Sequence, residues 1–347
     1  MTHNSNSALL TSPGEDETQL PSISAIQVES LGHRYESRVA LDSISFNVRP
    51  AEIFGLLGPN GSGKTTLFRI LTTLMVPTSG RAFVAGFDPV KQPNEVRRRI
   101  GVVAQAQSVD VKLTAAENLM HQGHLYGLSG ARLKQRISEM LERVGLSDRA
   151  NNLVETFSGG MQRRIELAKG LLHHPSVLLL DEPTTGLDPG ARRDLWQYLK
   201  ILRDDERVSV LVTTHLMEEA ERCDRLAIFN EGKLVALGTP AELRNEIGGD
   251  VVLLEVVGEP AQLAQRIQAR FSVPATVLDN RVRIEMEHGH RFITAVVEAF
   301  PGEIESVSVS KPTLEDVFID RTGHRFWSEP PSESRGSGDS KEKAARK

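Results

Sequence analysis

One stretch of the chain carries residues whose types and spacing suit the binding of a nucleotide's phosphates. Residues 58–65 read GPNGSGKT and match the pattern G-x-x-x-x-G-K-[ST] at every fixed position. The glycines let the backbone bend around phosphates, and N–H groups at the start of a helix point toward the anion. Lys64 can reach the β- and γ-phosphates, and the Thr65 hydroxyl can ligate Mg²⁺. The predicted nucleotide-binding residues are Gly58, Pro59, Asn60, Gly61, Ser62, Gly63, Lys64, Thr65 and Thr66.

A pair of acids indicates where the phosphate chemistry takes place. Asp181 and Glu182 come directly after the apolar run 177–180, which has the length of a buried strand. Carboxylates in such a place are costly unless they serve a cation or a reaction. Asp181 suits the acid that holds Mg²⁺ beside a phosphate-binding loop, and Glu182 can polarise a water for attack on the γ-phosphate. The alternative is an acid-rich surface turn, and the loop at 58–65 argues against it.

Two further polar residues give weaker signals when each is taken alone. Gln105 follows the apolar run 100–104, and His215 comes shortly after the run 208–212. A glutamine that caps a loop and a structural histidine are the ordinary interpretations. The functional interpretation is that both lie at the carboxyl edge of a parallel sheet, where α/β proteins bind ligands.

The tripeptide 158–160 and Tyr35 each allow two interpretations. Ser158, Gly159 and Gly160 precede a helical pattern, so they form either a plain helix start with a serine cap or a second anion-binding helix N-terminus. Tyr35 is either a partly exposed strand residue, which local sequence favours, or a ring that stacks on a base.

The surrounding sequence predicts the elements that position these residues. The apolar run Ile53–Leu57 is typical of a buried parallel strand, and apolar residues at three- and four-residue spacing predict a helix from about Lys64 to Leu74. Strand, glycine loop and helix is the context in which the loop pattern binds phosphates. From residue 251 the predicted order is βαββαβ, followed by a helix near residue 313; this order is typical of the split-βαβ arrangement.

Length and composition limit the classes of protein. The 347 residues suffice for two domains, and the contents of 39% hydrophobic and 25% charged residues are ordinary for a soluble globular chain. The net charge of −5 gives no sign of a nucleic-acid-binding surface, and the single cysteine suits a reducing compartment. No membrane span or signal peptide is predicted. We expect an N-terminal extension (1–23), an α/β nucleotide-binding domain (24–248), a small α+β domain (249–323) and a polar tail (324–347), with both ends disordered.

The order of these motifs resembles the ATP-binding subunits of ABC transporters over residues 26–247. The similarity includes GPNGSGKTT, Gln105, FSGGMQ, LLLDEP, GLD and His215 in that order. It implies the fold of an α/β P-loop NTPase with antiparallel β and helical subdomains. It also implies that Tyr35 stacks on adenine, that Gln105 contacts Mg²⁺ and the attacking water, and that His215 contacts the γ-phosphate. Asp188 would belong to a loop that crosses between two subunits.

Departures from the common signature point to one branch of this family. Phe157 and Met161 stand where the family usually has leucine and glutamine, and Gln162 comes one place later. This signature is similar to that of export ATPases related to daunorubicin-resistance proteins. That branch has a small extra domain ending in a motif like PTLEDVF, which stands here at 312–318.

The resemblance implies a function that needs partners. Each of two facing subunits would bind ATP and Mg²⁺ on its own phosphate loop, and Ser158, Gly159 and Gly160 of the other subunit would close over the γ-phosphate. Glu182 would orient the water, and a separate membrane permease would carry a drug-like or amphiphilic substrate, which places the chain on the cytoplasmic face of the membrane. Separately from the resemblance, we hypothesise that the C-terminal domain braces the dimer or contacts the permease. The rival classes are a soluble ABC ATPase acting on RNA or DNA, and a regulatory nucleotide binder without catalysis.

Overall fold

The computed structural model describes residues 24–326, and its strands follow the predicted order. The predicted extension 1–23 and residues 327–347 of the predicted tail 324–347 lie outside the described residues. Numbered along the chain, the strands are β1 (Ile26–Tyr35), β2 (Arg38–Val48), β3 (Ile53–Leu57), β4 (Ser79–Val84), β5 (Ile100–Val103), β6 (Val177–Asp181), β7 (Ser209–Thr214), β8 (Arg225–Asn230), β9 (Lys233–Gly238), β10 (Asp250–Val256), β11 (Ala275–Leu278), β12 (Arg281–Met286) and β13 (Ile304–Ser310).

The helices are capped by side chains that the sequence shows clearly. The hydroxyls of Thr114, Thr239 and Thr313 each form a capping box with an acidic residue three positions later, which satisfies exposed N–H groups at a helix start. The helices are α1 (Lys64–Leu71), α2 (Pro93–Arg99), α3 (Ala115–Leu125), α4 (Gly130–Arg143), α5 (Gly159–Leu171), α6 (Pro189–Asp204), α7 (Met217–Ala220), α8 (Pro240–Asn245), α9 (Pro260–Phe271), α10 (Gly289–Ala299) and α11 (Leu314–Thr322).

A six-stranded sheet in the order β5-β6-β7-β3-β8-β9 brings the chemistry-bearing residues together. Strands β5, β6, β7, β3 and β8 run parallel, and β9 pairs antiparallel with β8. The carboxyl ends of β3, β5, β6 and β7 therefore meet at one edge. The phosphate loop, Gln105, Glu182 and His215 all follow these four strands at that edge.

The two faces of this sheet pack against different layers. Leu178, Leu180 and Val212 pack against helices α3, α4, α5 and α6, whereas Leu179 and Leu211 pack against α1 and the antiparallel sheet β2-β1-β4. Side chains alternate between the faces along each strand, and both faces are covered, so these strands consist of continuous apolar runs. None of the helices within residues 24–326 combines the length and hydropathy that a membrane crossing requires.

The C-terminal part forms its own four-stranded sheet in the order β11-β12-β10-β13, with antiparallel pairs throughout. Helices α9 and α10 cover one face of it around Val252, Leu254 and Ile267. The chain order and the strand order together are those of a ferredoxin-like βαββαβ fold, as the sequence predicted.

Helix α11 joins the two parts of the chain. Leu314, Val317 and Phe318 lie in one buried cluster with Leu226 and Ile228 of the six-stranded sheet. The cluster also contains Phe326, which is 1% exposed and lies beyond the predicted domain limit at residue 323. The predicted motif at 312–318 therefore packs against the nucleotide-binding part of the chain.

Candidate active site

The phosphate loop begins where β3 ends, and its last glycine has little room for a side chain. Gly63 has φ +108° and is the N-cap of α1, and a Cβ there would lie 2.5 Å from the Ala40 carbonyl oxygen. Positive φ at an unstrained helix start requires glycine. The buried Ser62 hydroxyl oxygen has no hydrogen-bond partner among the described residues. A ligand that accepts a hydrogen bond would satisfy it.

Lys64 lies over this loop as a buried cation. Its ammonium donates hydrogen bonds to the carbonyl oxygens of Gly58, at 2.6 Å, and of Pro59, at 3.0 Å. Burial lowers the pKa of Lys64, and the negative charges of Glu182 and Asp181 partly offset that shift. The ammonium therefore lies between the loop and the two predicted acids, where it can bind phosphate oxygens.

A cleft of about 380 Å³ opens above the loop and contains half of the predicted site residues. It is lined by Tyr35, Arg38, Ala40, Asn60, Gly61, Gly63, Lys64, Thr65, Thr66, Gln105 and Glu182. The Tyr35 ring lies at the end of β1 and is 40% exposed, with its hydroxyl 3.4 Å from the Thr66 Oγ1. A half-exposed ring at the wall of the cleft offers the flat face that base stacking needs.

Glu182 is surrounded by the polar residues that end the neighbouring strands. Its carboxylate lies 3.1 Å from His215 Nδ1 through Oε1 and 3.4 Å from Gln105 Nε2 through Oε2. The Thr185 hydroxyl also lies 3.4 Å from Oε2. The structure thus brings together Gln105, Glu182 and His215, which the sequence placed on one sheet edge.

The backbone of Glu182 is held in an unusual conformation. Its φ is +44°, which is strained for a residue with a side chain. The Glu182 N–H donates to both the hydroxyl and the carbonyl oxygen of Thr213, at 2.9 and 3.2 Å. Strain of this kind is typical of functional sites, where the surrounding structure fixes the geometry.

Asp181 is a buried carboxylate that a cation would stabilise. Burial raises the pKa of Asp181, and the Thr213 hydroxyl, which donates to its Oδ1 at 2.5 Å, opposes that rise. Among residues 24–326 no group of three or more His, Cys, Asp or Glu residues is arranged to hold a metal by itself. Mg²⁺ commonly binds one or two protein carboxylates and completes its shell with other oxygen donors, substrate phosphates and waters. The carboxylate of Asp181, the hydroxyl of Thr65 and the amide oxygen of Gln105 are oxygen donors of the kind that the predicted Mg²⁺ site needs.

Comparison with known proteins decides the family. A family model described as ABC transporter matches residues 41–185, and one described as the DrrA1-3-like C-terminal domain of ATP-binding proteins matches residues 238–322. The chain is 39% identical over 310 residues to the daunorubicin resistance ATP-binding protein DrrA2 of Streptomyces coeruleorubidus, covering 87% of this chain and 96% of that protein. The chain belongs to the ATP-binding proteins of ABC transporters.

Further relatives and solved structures agree with this assignment. The linearmycin resistance ATP-binding protein LnrL of Bacillus subtilis is 37% identical and covers 86% of this chain and 98% of its own length. The dimeric ATP-binding cassette MJ0796, bound to ADP and Pi, superposes with a TM-score of 0.57 at 27% identity over 62% of this chain and 98% of that cassette. Clostridium perfringens cbiO1 shares the fold with a TM-score of 0.60 at 24% identity over 72% of this chain and 96% of its own. The predicted family, P-loop fold class and ATPase activity are thereby confirmed.

The signature of this ABC ATPase lies apart from the cleft. Ser158, Gly159 and Gly160 do not line the cleft. The Ser158 hydroxyl caps α5 by accepting a bond from the Met161 N–H at 3.3 Å. Among residues 24–326, no atom outside the chain neighbours and backbone of its own helix lies within 4 Å of where a Gly159 Cβ would stand. The start of α5 is therefore exposed at Gly159.

Asp188 caps helix α6 close to the signature. Its Oδ1 accepts bonds from the Gly190 and Ala191 N–H groups at 2.9 Å each, which caps α6. These backbone bonds lower the pKa of Asp188. A Cβ on Gly160 would lie 2.9 Å from the Ala191 Cβ, so the signature packs directly on the start of α6. The signature and Asp188 therefore lie close together, and Asp188 does not line the cleft.

Four residues near the site were missed by the sequence reasoning. Arg38 lines the cleft and donates to the Gly61 carbonyl oxygen at 3.1 Å. Thr213 donates to Asp181 Oδ1 and accepts from the Glu182 N–H, and Arg163 donates to the Pro183 carbonyl oxygen. Buried Glu219 accepts bonds from the Thr214 hydroxyl, at 2.7 Å, and from the Thr184 hydroxyl. The sequence signal for Arg38 was its place three residues after Tyr35; the positions of the other three residues depend on tertiary contacts.

Proposed function

We propose that this chain is the ATP-hydrolysing subunit of an ABC exporter that moves a drug-like or other amphiphilic substrate through a separate membrane permease. The observation that carries the proposal is the division of the site. The cleft contains Lys64, Gln105 and Glu182, whereas the open helix start at Gly159 lies elsewhere on the same chain. Two anion-binding helix starts on one chain are explained if they serve two different nucleotides in a homodimer.

Binding of ATP follows from the loop and the wall of the cleft. The Tyr35 ring stacks on adenine, and the backbone N–H groups of the loop and the Lys64 ammonium bind the β- and γ-phosphates. Thr65, Gln105 and Asp181 would hold Mg²⁺, which would neutralise charge on the phosphate oxygens. Gly159 of the second copy then closes over the γ-phosphate, and that closure drives the permease.

Hydrolysis is positioning and charge neutralisation. Glu182 accepts a hydrogen bond from a water, whose oxygen forms a bond to the γ-phosphorus while the bond to the β–γ bridging oxygen breaks. The water proton passes to the Glu182 carboxylate, which later releases it to solvent. Gln105 and His215 lie on either side of the Glu182 carboxylate and hold it and the water in line. The bridging electron pair leaves with ADP, and the phosphate departs separately.

The direction and class of transport rest on the relatives. The names of the DrrA2 and LnrL relatives refer to resistance to daunorubicin and linearmycin. A chain of this branch is expected at the cytoplasmic face of the membrane, attached through its permease. Co-purification with an integral membrane protein, rather than with RNA or DNA, distinguishes this proposal from a soluble ABC machine.

The dimer is tested with the variant Glu182→Gln. This variant keeps the shape of the site but removes the carboxylate, so it should bind ATP, turn over very slowly and accumulate as a dimer with ATP and Mg²⁺ in size-exclusion chromatography. The control is the double variant Lys64→Ala/Glu182→Gln, which should remain a monomer because it binds ATP poorly. If Glu182→Gln elutes only as a monomer, the shared site is wrong.

A further inference from the structure

An ion pair is buried one turn into the signature helix α5. Arg163 Nη1 lies 2.6 Å from Glu166 Oε2, and the two side chains are 9% and 2% exposed. The free energy of desolvating both charges can exceed the free energy gained from their attraction, so such a pair is a weak source of stability. Its position and its other bonds suggest a different purpose.

Arg163 bridges the two loops that carry the catalytic side chains. Its Nε donates to the Pro183 carbonyl oxygen at 2.8 Å, directly after Glu182. Its Nη1 donates to the Ala104 carbonyl oxygen at 2.8 Å, directly before Gln105. The planar guanidinium can make both bonds at once because its donors point in fixed, divergent directions.

Glu166 holds the same helix to the far end of the Gln105 loop. Its Oε1 accepts a bond from the Ser108 N–H at 2.6 Å, and the neighbouring Lys169 ammonium donates to the Ser108 carbonyl oxygen at 2.5 Å. The Gln107 amide donates to the Gln162 side chain at 2.8 Å. Helix α5 is therefore hydrogen-bonded to this loop on both sides of Gln105.

We propose that Arg163 and Glu166, here called the α5 clamp, are positioning residues that couple the signature to catalysis within one subunit. Ser158 and Gly159 at the start of α5 close over the partner's nucleotide in the function proposed above, on which this inference rests. Because a helix moves as a rigid rod, that closure shifts the α5 clamp, which in turn sets the backbone of Gln105 and Glu182. Neither clamp residue lines the cleft.

The proposal separates hydrolysis from binding. Arg163→Lys keeps the charge and can keep the ion pair, but a single ammonium cannot reproduce the fork that spans both carbonyls. We expect its kcat to fall by about 10- to 100-fold, as for a small misplacement of catalytic groups. Its affinity for a fluorescent ATP analogue should stay within about threefold of wild type, because the phosphate loop is untouched.

A second variant separates positioning from stability. In Arg163→Met/Glu166→Leu the buried pair becomes apolar, but the carbonyl oxygens of Ala104 and Pro183 and the Ser108 N–H lose their partners, so the melting temperature should fall. At a temperature well below that transition, where the variant is folded, kcat should still fall as in Arg163→Lys. A purely structural pair would leave the kcat of the folded variant near that of wild type.

The matched control is Arg136→Met on α4. Arg136 is also buried, has an i,i+3 acidic partner in Glu139, and donates to the carbonyl oxygens of Leu171 and Leu172 at 2.9 and 3.0 Å. It contacts neither catalytic loop, so its kcat should stay near wild type even if stability falls. The α5 clamp is overturned if Arg163→Lys hydrolyses ATP as fast as this control.

Failure of the proposed function would look different. If Glu182→Gln does not form an ATP-dependent dimer, the shared site is refuted, whatever the clamp variants do. If Glu182→Gln does dimerise and Arg163→Lys retains the control's kcat, only the α5 clamp is refuted. Adding Arg163→Lys to Glu182→Gln should leave the ATP-dependent dimer in place, since the signature and the phosphate loop are intact.

Discussion

Replacing Thr213 by valine should weaken the ionised form of Asp181 with little change in shape. The Thr213 side chain is fully buried, donates to Asp181 Oδ1 at 2.5 Å and accepts from the Glu182 N–H at 2.9 Å. Valine removes both bonds, although the Glu182 N–H keeps its bond to the Thr213 carbonyl oxygen at 3.2 Å. The loss therefore falls mainly on the Asp181 carboxylate.

The size of the effect depends on pH because Asp181 titrates. A lost hydrogen bond to a charged group costs about 1.5–3 kcal/mol of unfolding free energy, and one to a neutral group about 0.5–1.5 kcal/mol. Burial raises the folded-state pKa of Asp181, so ionisation costs stability above that pKa, and stability is recovered as the pH falls through it. Without the hydroxyl this pKa rises further. The variant should therefore lose more stability at neutral pH than in acid.

Urea unfolding at neutral pH and at the most acidic pH that keeps both proteins folded measures this difference. The matched control is Ser209→Ala at the other end of β7, where a buried hydroxyl oxygen accepts one bond from the Ala51 N–H at 2.9 Å. Its loss should not depend on pH. For ATPase activity, Thr213→Val should need roughly tenfold more Mg²⁺ for each 1.4 kcal/mol lost, and the acid limb of its pH–rate profile should move to higher pH. Equal losses at both pH values, with unchanged Mg²⁺ dependence, would refute the reasoning.

Three further tests, each a substitution with a matched control, address other parts of the molecule. Tyr35→Ala should weaken binding of a fluorescent ATP analogue by roughly 5- to 100-fold through lost stacking, while Tyr35→Phe should bind normally; equal binding by all three proteins would exclude stacking. Gly159→Ala should keep its melting temperature, since within the described part of the chain no atom beyond its own helix turn lies within 4 Å of the new methyl, but it should lose ATPase activity if a partner's phosphate docks there. Gly160→Ala should lose both, because its methyl would lie 2.9 Å from the Ala191 Cβ. Phe318→Ala should cost about 3–5 kcal/mol and lower the calorimetric transition of the nucleotide-binding part, whereas Phe292→Ala, confined to the C-terminal core, should spare that transition.

The phosphate loop and the sheet edge were predictable because their signals are local. Three features can each be recognised from a few consecutive residues: a glycine at a positive φ, a lysine at a helix start and an acid after an apolar run. Parallel strands then bring Gln105, Asp181 and His215 to one edge without further information. The βαββαβ order was visible for the same reason, since each of its elements has its own apolar pattern.

Helix boundaries were predicted less well where side chains compete for the backbone. The predicted helix from Lys64 to Leu74 ends at Leu71, where the Thr72 hydroxyl bonds back to the Phe68 carbonyl oxygen at 2.8 Å and Thr73 adopts φ +65°. Leu74 is 71% exposed.

Helix α6 was not predicted, although the sequence carries its signals. Asp188 caps it and Pro189 is its first residue. Its buried residues, at helical spacing, are Leu195, Trp196, Leu199 and Leu202. Pro183 and Gly186 favoured a loop over residues 183–188 at this point in the chain.

The α5 clamp could not be predicted because its sequence pattern is typical of an exposed ion pair. An arginine and a glutamate three residues apart on a helix are usually an exposed pair worth a few tenths of a kcal/mol. Only the tertiary structure places Pro183 and Ser108 against them and excludes water. Burial and bonding partners, rather than residue type or spacing, distinguish this pair from the exposed pair of Arg98 and Glu95 on α2.

The division of the site explains why a buried ion pair would be retained in α5. In the proposed dimer, the Ser158 end of the helix contacts a nucleotide bound by the other copy, while Glu182 acts on the nucleotide of its own chain. Hydrolysis at the two positions can be coordinated only if some contact within the chain joins them. Backbone carbonyls on both catalytic loops are bonded by one rigid guanidinium, so this contact transmits displacement in a way that an apolar pair of equal stability would not. The desolvation cost of the buried pair is then tolerated because the pair supplies coupling rather than stability.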